Sequence, residues 1–198
     1  MNEYDAQGTA GLLPYPALVE ALRMAALEVA RGAIVCPQRQ LIPMPGGGSV
    51  LSMLAAGSDL VAHKLVTVVP ANRARGLPTI HGRVSVWDSD TGEQRLSLDG
   101  ATVTGRRTAA LSMLGIQALL PHRPRCVWLT GTGAQARHHV EALAAVFPEA
   151  RISVAGRTPG ASENFCASHA HLGVTLTPHP VAVFADDIDV FIACTTSQ

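Results

Sequence analysis

Residues 126–136 read Cys-Val-Trp-Leu-Thr-Gly-Thr-Gly-Ala-Gln-Ala. An apolar, strand-forming run passes directly into a glycine turn, and the segment from about Ala134 to Val146 has helical character. Gly131, Gly133 and Ala136 stand in GxGxxA spacing. In a strand–turn–helix frame this is the dinucleotide-binding fingerprint. The first glycine makes the tight turn, the second lets backbone approach a pyrophosphate, and the small third residue lets helix and strand pack closely. A helix that merely needs a tight turn at its start is the plainer reading of the same spacing.

Downstream the alternation continues. Arg151–Ala155 reads as a second strand, about Pro159 to His171 as a helix capped by Gly173, and Val174–Leu176 as a third strand. Val181–Ala185 reads as a short helix and Val190–Cys194 as a fourth strand. The second strand ends in Ala155-Gly156-Arg157-Thr158. NAD binders usually carry an acid there for the ribose 2′-hydroxyl. An arginine instead suits a 2′-phosphate, so NADPH is favoured, with NADH possible. Arg157 could also simply solvate its loop.

Upstream the pattern differs. Pro14 and Pro16 open a helix with Leu18, Leu22, Ala25, Ala26 and Val29 on one face and Gly32 after it. Residues 1–13 show no period and read as a loose lead-in. Gln38–Ile42, Ser49–Ala55, Leu60–Val69, Thr79–Trp87 and Gln94–Leu98 read as strands, with turns at residues 57–59 and 88–92. The pattern changes after Asp99-Gly100: Thr104–Leu120 reads as a long helix stopped by Pro121, and residues 122–125 as a linker. The fold class is therefore α/β. A mixed α+β domain over residues 1–120 precedes a βαβ dinucleotide-binding domain over residues 121–198.

Composition excludes several classes. The protein has 198 residues, 47% hydrophobic and 15% charged, so it buries a core and is not disordered. Lys+Arg and Asp+Glu are both 15, which gives no electrostatic reason to bind nucleic acid or an anionic membrane. No apolar run reaches the roughly 18 residues of a membrane helix, and the first residues lack the pattern of a signal peptide. Four scattered cysteines without a CxxC pair read as reduced thiols, so a cytoplasmic protein is expected.

Three basic residues suggest chemistry. Lys64 lies inside an apolar strand, on one face with Ala62, Val66 and Val68. A lysine there needs an anion or a cavity, and desolvation would make it a usable proton donor. A strand-edge lysine reaching for water is the alternative. Arg107 falls in the first turn of the expected helix, where Thr104 and Thr108 share a face. Free amides, two hydroxyls and an arginine there make a carboxylate or phosphate site, unless the arginine is ordinary surface. Arg106 is adjacent but points about 100° away. Arg39 could be a second carboxylate clamp. His81 could line a cleft or be a satisfied sheet histidine. His138 and His139 are expected on a helix surface or in subunit contacts. Cys166, His169 and His171 carry zinc-ligand chemistry, but 171 leaves the helix face shared by 166 and 169, so no metal is expected.

The runs Lys64-Leu-Val-Thr-Val, Asn72-Arg-Ala-Arg-Gly-Leu-Pro-Thr79, Leu98-Asp-Gly-Ala-Thr-Val-Thr-Gly-Arg-Arg-Thr-Ala-Ala110, Gly131-Thr-Gly-Ala-Gln-Ala136 and Ala193-Cys-Thr-Thr-Ser197 resemble the ornithine cyclodeaminase/μ-crystallin family. The resemblance runs from about Leu13 to the end. It is strongest to its bacterial ketimine reductases, which act on Δ1-pyrroline-2-carboxylate and Δ1-piperideine-2-carboxylate. It implies a homodimer, a substrate and dimerisation domain, and a Rossmann NAD(P)-binding domain. It implies Arg39, Lys64 and Arg107 at the substrate, with Lys64 catalytic. It implies Thr104, Arg107, Thr108, Gly131, Thr132, Gly133, Ala134, Gln135, Arg157 and Thr158 at the cofactor. Family members continue past the Thr-Thr-Ser motif, so the Rossmann domain is expected to be incomplete here, with a truncation at its C-terminal end. The implied activity is NAD(P)H-dependent reduction of cyclic ketimines to L-proline or L-pipecolate. Ornithine cyclodeaminase or alanine dehydrogenase chemistry, a non-catalytic NADPH-dependent binding protein and an inactive fragment are the alternatives.

Overall fold

The computed structural model describes residues 2–180 and 187–195. The protein forms two compact units, Met1–Pro14 with Ala21–Thr104 and Tyr15–Glu20 with Gly105–Gln198.

The first unit is a six-stranded sheet built from β1 (Asn2–Glu3), β2 (Gln40–Met44), β3 (Gly48–Ala56), β4 (Leu60–Val68), β5 (Ile80–Asp88) and β6 (Gln94–Asp99). Its order is β1-β6-β5-β4-β3-β2, antiparallel except for the β1–β6 pair. Alternation along β4 sets its faces. Val66 is buried opposite Leu51 and Gly82, and Lys64 lies on the same face opposite Met53 and Val84. Asp88 closes the β5–β6 hairpin by accepting from the amides of Asp90 and Thr91.

The lead-in is more ordered than its lack of period suggests. It forms β1 and helix α1 (Ala6–Leu12), capped by Asp5, whose carboxylate accepts from Gly8 N at 2.8 Å. Thr9 is fully buried because its hydroxyl accepts from Asp99 N at 2.9 Å. Helix α2 spans Tyr15–Ala30, as the apolar face at residues 18–29 predicts.

Helix α3 (Gly100–Leu119) starts a full turn before the expected Thr104. The Asp99 carboxylate accepts from Thr102 N at 2.7 Å and caps the helix. Gly100 is also the only residue that fits there. A Cβ on it would lie 2.6 Å from the backbone carbon of Gly82.

The second unit holds a four-stranded parallel sheet of β7 (Cys126–Thr130), β8 (Arg151–Gly156), β9 (Leu176–Pro180) and β10 (Val190–Ala193). The order is β10-β7-β8-β9, a partial Rossmann-like arrangement. Helices α4 (Ala134–Val146) and α5 (Ala161–His169) are the crossovers after β7 and β8. Val127, Trp128, Leu129, Ile152, Val154, Val140 and Leu143 are essentially unexposed. Burial of each such residue contributes about 1.5–3 kcal/mol. The third strand lies further on than the expected Val174–Leu176 and contains two prolines. Among the described residues β9 is an edge strand, where prolines are tolerated. The Asp189 carboxylate accepts from Arg125 N and Cys126 N at 2.6 and 2.9 Å, which ties the start of β10 to the start of β7. The short helix expected at Val181–Ala185, and the Thr196-Ser197 end of the last motif, lie outside the described residues.

Candidate functional site

In the second unit the sheet order reverses at β7, whose neighbours are β8 on one side and β10 on the other. In open α/β sheets ligands bind at the C-terminal ends of the strands at such a reversal. The glycine turn sits there. Gly131 has φ +106°, and its amide donates to Ala155 O at 2.8 Å. A Cβ on it would stand 2.5 Å from Cys194 O, so the turn is pressed between the ends of β8 and β10.

Gly133 differs. It is the N-cap of α4 with an extended backbone, and among the described residues nothing but its chain neighbours lies within 4 Å of where its Cβ would be. The start of α4 has no hydrogen bond from a capping side group. Its first amides are therefore available to an anion, next to an open space that only a glycine leaves. Ala136 is fully buried, as the close helix–strand contact requires. Thr132 and Gln135 are half-buried, Ala134 is exposed, and the Gln135 amide oxygen is buried without a hydrogen-bond partner among the described residues. The uncapped start of α4 beside Gly133 and the small, buried Ala136 fit a dinucleotide pyrophosphate.

Arg157 and Thr158 are exposed in the loop between β8 and α5. They line a hollow of about 420 Å³ together with Ser162, Glu163 and His179. Gly156 joins this loop to the glycine turn, since a Cβ on it would lie 3.3 Å from Thr132 Cγ2. A second hollow, of about 720 Å³ and largely apolar, is lined by Thr108, Ser112, Ile116, Gln135, His139 and Cys194 among others.

The other expected residues fall as follows. Lys64 is half-buried on β4, and Arg39 is exposed just before β2. Arg107 is exposed on α3 but not in its first turn, because the helix begins at Gly100. The expected set of free amides around Arg107 is therefore absent. Thr104 donates its hydroxyl back to Gly100 O at 2.7 Å, and Thr108 O accepts from Ser112 Oγ at 3.3 Å. His81 is exposed, and His169 stacks on Phe165 with its Nδ1 2.8 Å from Phe165 O.

His138 and His139 are not on the surface; both are buried. His139 Nδ1 lies 2.7 Å from Gln135 O, and Nε2 lies 3.0 Å from Ser112 Oγ. Burial holds its pKa below the usual 6.5, so the ring stays neutral. His138 approaches Tyr15 and Glu141. Helical spacing marked neither histidine, because both are buried for their hydrogen bonds and not for an apolar stripe.

A model of the ornithine cyclodeaminase/mu-crystallin family matches residues 17–198. The chain belongs to this family. Similar relatives within it include Delta(1)-pyrroline-2-carboxylate reductase 2 of Burkholderia ambifaria, 52% identical over 195 residues. Another is the Delta(1)-pyrroline-2-carboxylate/Delta(1)-piperideine-2-carboxylate reductase of Azospirillum brasilense, 51% identical. Each match covers 98% of this chain, which spans 63% of the length of these relatives. The Delta(1)-pyrroline-2-carboxylate reductase of Thermococcus litoralis, solved with NADH and L-proline, has the same fold (TM-score 0.87, 24% identity, 98% of this chain and 61% of that one). A lysine cyclodeaminase solved for its recognition of L-lysine, L-ornithine and L-2,4-diaminobutyric acid is 28% identical, with TM-score 0.82 over 100% of this chain and 62% of that one. No helix among the described residues of this family member is long and apolar enough to cross a membrane.

Proposed function

We propose that this protein holds the cofactor-binding and substrate-binding parts of an NAD(P)H-dependent ketimine reductase, which converts Δ1-pyrroline-2-carboxylate or Δ1-piperideine-2-carboxylate to L-proline or L-pipecolate. The observation that carries it is the open glycine turn at the reversal of the parallel sheet, in a sequence about half identical to reductases of these substrates. The exposed Arg157, at a strand end with no acid, favours NADPH, and NADH fits the same turn.

When bound, the nicotinamide would supply the hydride for reduction of the C=N bond. The protein's own groups do the rest. Gly131, Thr132, Gly133, Ala134 and Gln135 hold the pyrophosphate, and Arg157 and Thr158 hold the ribose 2′-phosphate. Thr104 and Thr108 face the cofactor, and Arg107 stands beside it. Arg107, helped by Arg39, grips the substrate carboxylate, because a planar guanidinium matches two carboxylate oxygens. Lys64 is the catalytic proton donor. It is half-buried on β4 opposite Met53 and Val84, and would give its proton to the ring nitrogen of the substrate. Fixing donor and acceptor in contact is the main gain. The working form is a cytoplasmic homodimer.

The test is NADPH consumption by the purified protein with Δ1-piperideine-2-carboxylate, alongside Lys64→Ala. Consumption that vanishes in the variant supports the reading. Equal consumption in both removes Lys64 from the chemistry, and none in either refutes a reductase activity for this protein.

A further inference from the structure

A polar cluster in the second unit surrounds Glu141, a residue that no motif marks. Glu141 Oε2 accepts from the Tyr15 hydroxyl at 2.9 Å. The same oxygen lies 3.5 Å from His138 Nδ1 and 3.7 Å from an Arg106 guanidinium nitrogen. Its other oxygen is 3.9 Å from Arg137 Nε. Three segments meet at this one carboxylate: the first residue of α2, the second turn of α3 and the first two turns of α4.

Each partner is constrained. The Arg106 side chain is only 12% exposed, and its guanidinium lies 3.9 Å over the centre of the Tyr15 ring. A guanidinium buried to that degree needs a counter-charge, and Glu141 provides it. Burial and then the Glu141 charge push the Tyr15 hydroxyl pKa up, so it remains a donor. The hydrogen bond from His138, helped by the one from Tyr15, holds the Glu141 carboxyl at about 2. Tyr15 OH also lies 3.2 Å from His138 Nδ1.

We propose that Glu141 is a positioning residue, which through Tyr15 and Arg106 fixes the rotation of α3 and the seating of the α4 dinucleotide turn against it. Arg106 immediately precedes Arg107. Locking one therefore sets the direction of the other, about 100° around the helix. Arg137 and His138 follow Gly133 by one turn, so their hold on Glu141 reaches the amides that would receive a pyrophosphate. A hollow of about 780 Å³ at the glycine turn is lined by Thr132, Gly133, Ala134 and Arg137 among others; Glu141 and Tyr15 line neither it nor the one at Arg157, and so act through other residues. This role rests on the cofactor-binding reading above.

The test is NADPH binding to the 198-residue protein, read by energy transfer from its two tryptophans. Glu141→Gln keeps the shape and removes the charge, and Tyr15→Phe removes only the hydroxyl. Affinities are compared where urea unfolding shows every variant folded, because a mere strut would lower stability and leave the affinity of the folded protein alone. Glu141→Gln is expected to raise the NADPH Kd about fivefold or more, and adding Arg106→Ala should raise it little further, since both act through one contact. A Kd within about twofold of the parent in both single variants would overturn the role. Absence of saturable NADPH binding in the parent would overturn the cofactor reading itself, and this role with it.

Discussion

The imidazole of His138 occupies the place where a side chain on Gly105 would begin: a Cβ there would lie 2.1 Å from His138 Cδ2. His138 cannot easily yield, being buried and within reach of Tyr15 OH and Glu141. Gly105→Ala gains about 1 kcal/mol of helix propensity. Overpacking a filled interior costs about 1–3 kcal/mol, and displacing the ring strains its polar contacts as well. A net loss of stability is expected in urea unfolding. Adding His138→Ala should recover part of it; no recovery would show that the ring is not the obstacle.

The two glycines of the fingerprint should separate stability from binding. Gly131→Ala combines a φ of +106° with a contact of 2.5 Å to Cys194 O, so about 2 kcal/mol or more of stability should be lost. Gly133 has ordinary angles and open space. Gly133→Ala should cost at most about 1 kcal/mol as a weaker cap. Its methyl would nevertheless fill the space kept for the ligand, so NADPH affinity should fall about tenfold or more. Unfolding midpoints and NADPH titrations of both variants check this; equal losses of both kinds would refute the division.

How legible this was depended on distance along the sequence. The β7–turn–α4 unit could be read because strand, turn and helix signals lie within one short segment. Thr9 could not, because its reason for burial is the amide of Asp99, far away in sequence. The start of α3 is expected at Thr104 because no local signal shows that Asp99 caps the helix through Thr102 N. The third strand is expected to end at Leu176, where β9 begins, and nothing local says that a strand carrying two prolines lies at an edge. At the candidate site, Gly131, Gly133 and Arg157 were visible as a motif. The Tyr15–Arg106–Glu141 cluster was not, because its members lie on three segments and form no spacing.

Acid should weaken the fold through His139. Its folded pKa is lowered by burial, more than the hydrogen bond to Gln135 O raises it. The unfolded state therefore binds the proton more readily. The contribution is fully present above the unfolded value of 6.5 and is lost as pH falls from there toward the folded pKa. The urea midpoint is expected to drop between about pH 7.5 and about pH 5.5, and to drop less in His139→Gln. Equal slopes would exclude His139 as the source.

The cofactor preference can be tested at Arg157. The residue is exposed beside Thr158 and the hollow that holds Glu163 and His179, with no acid at the end of β8. If it pairs with a 2′-phosphate, removing it takes away a charge-assisted contact worth about 1.5–3 kcal/mol, or about ten- to a hundredfold in affinity. NADH, which has a hydroxyl there, should bind Arg157→Ala about as well as it binds the parent. Adding an acid in Arg157→Asp should go further, because it repels the phosphate and offers the 2′-hydroxyl an acceptor. Titrations of both cofactors into the three proteins decide it. A parallel loss of NADH and NADPH would mean that Arg157 holds the loop and does not read the phosphate.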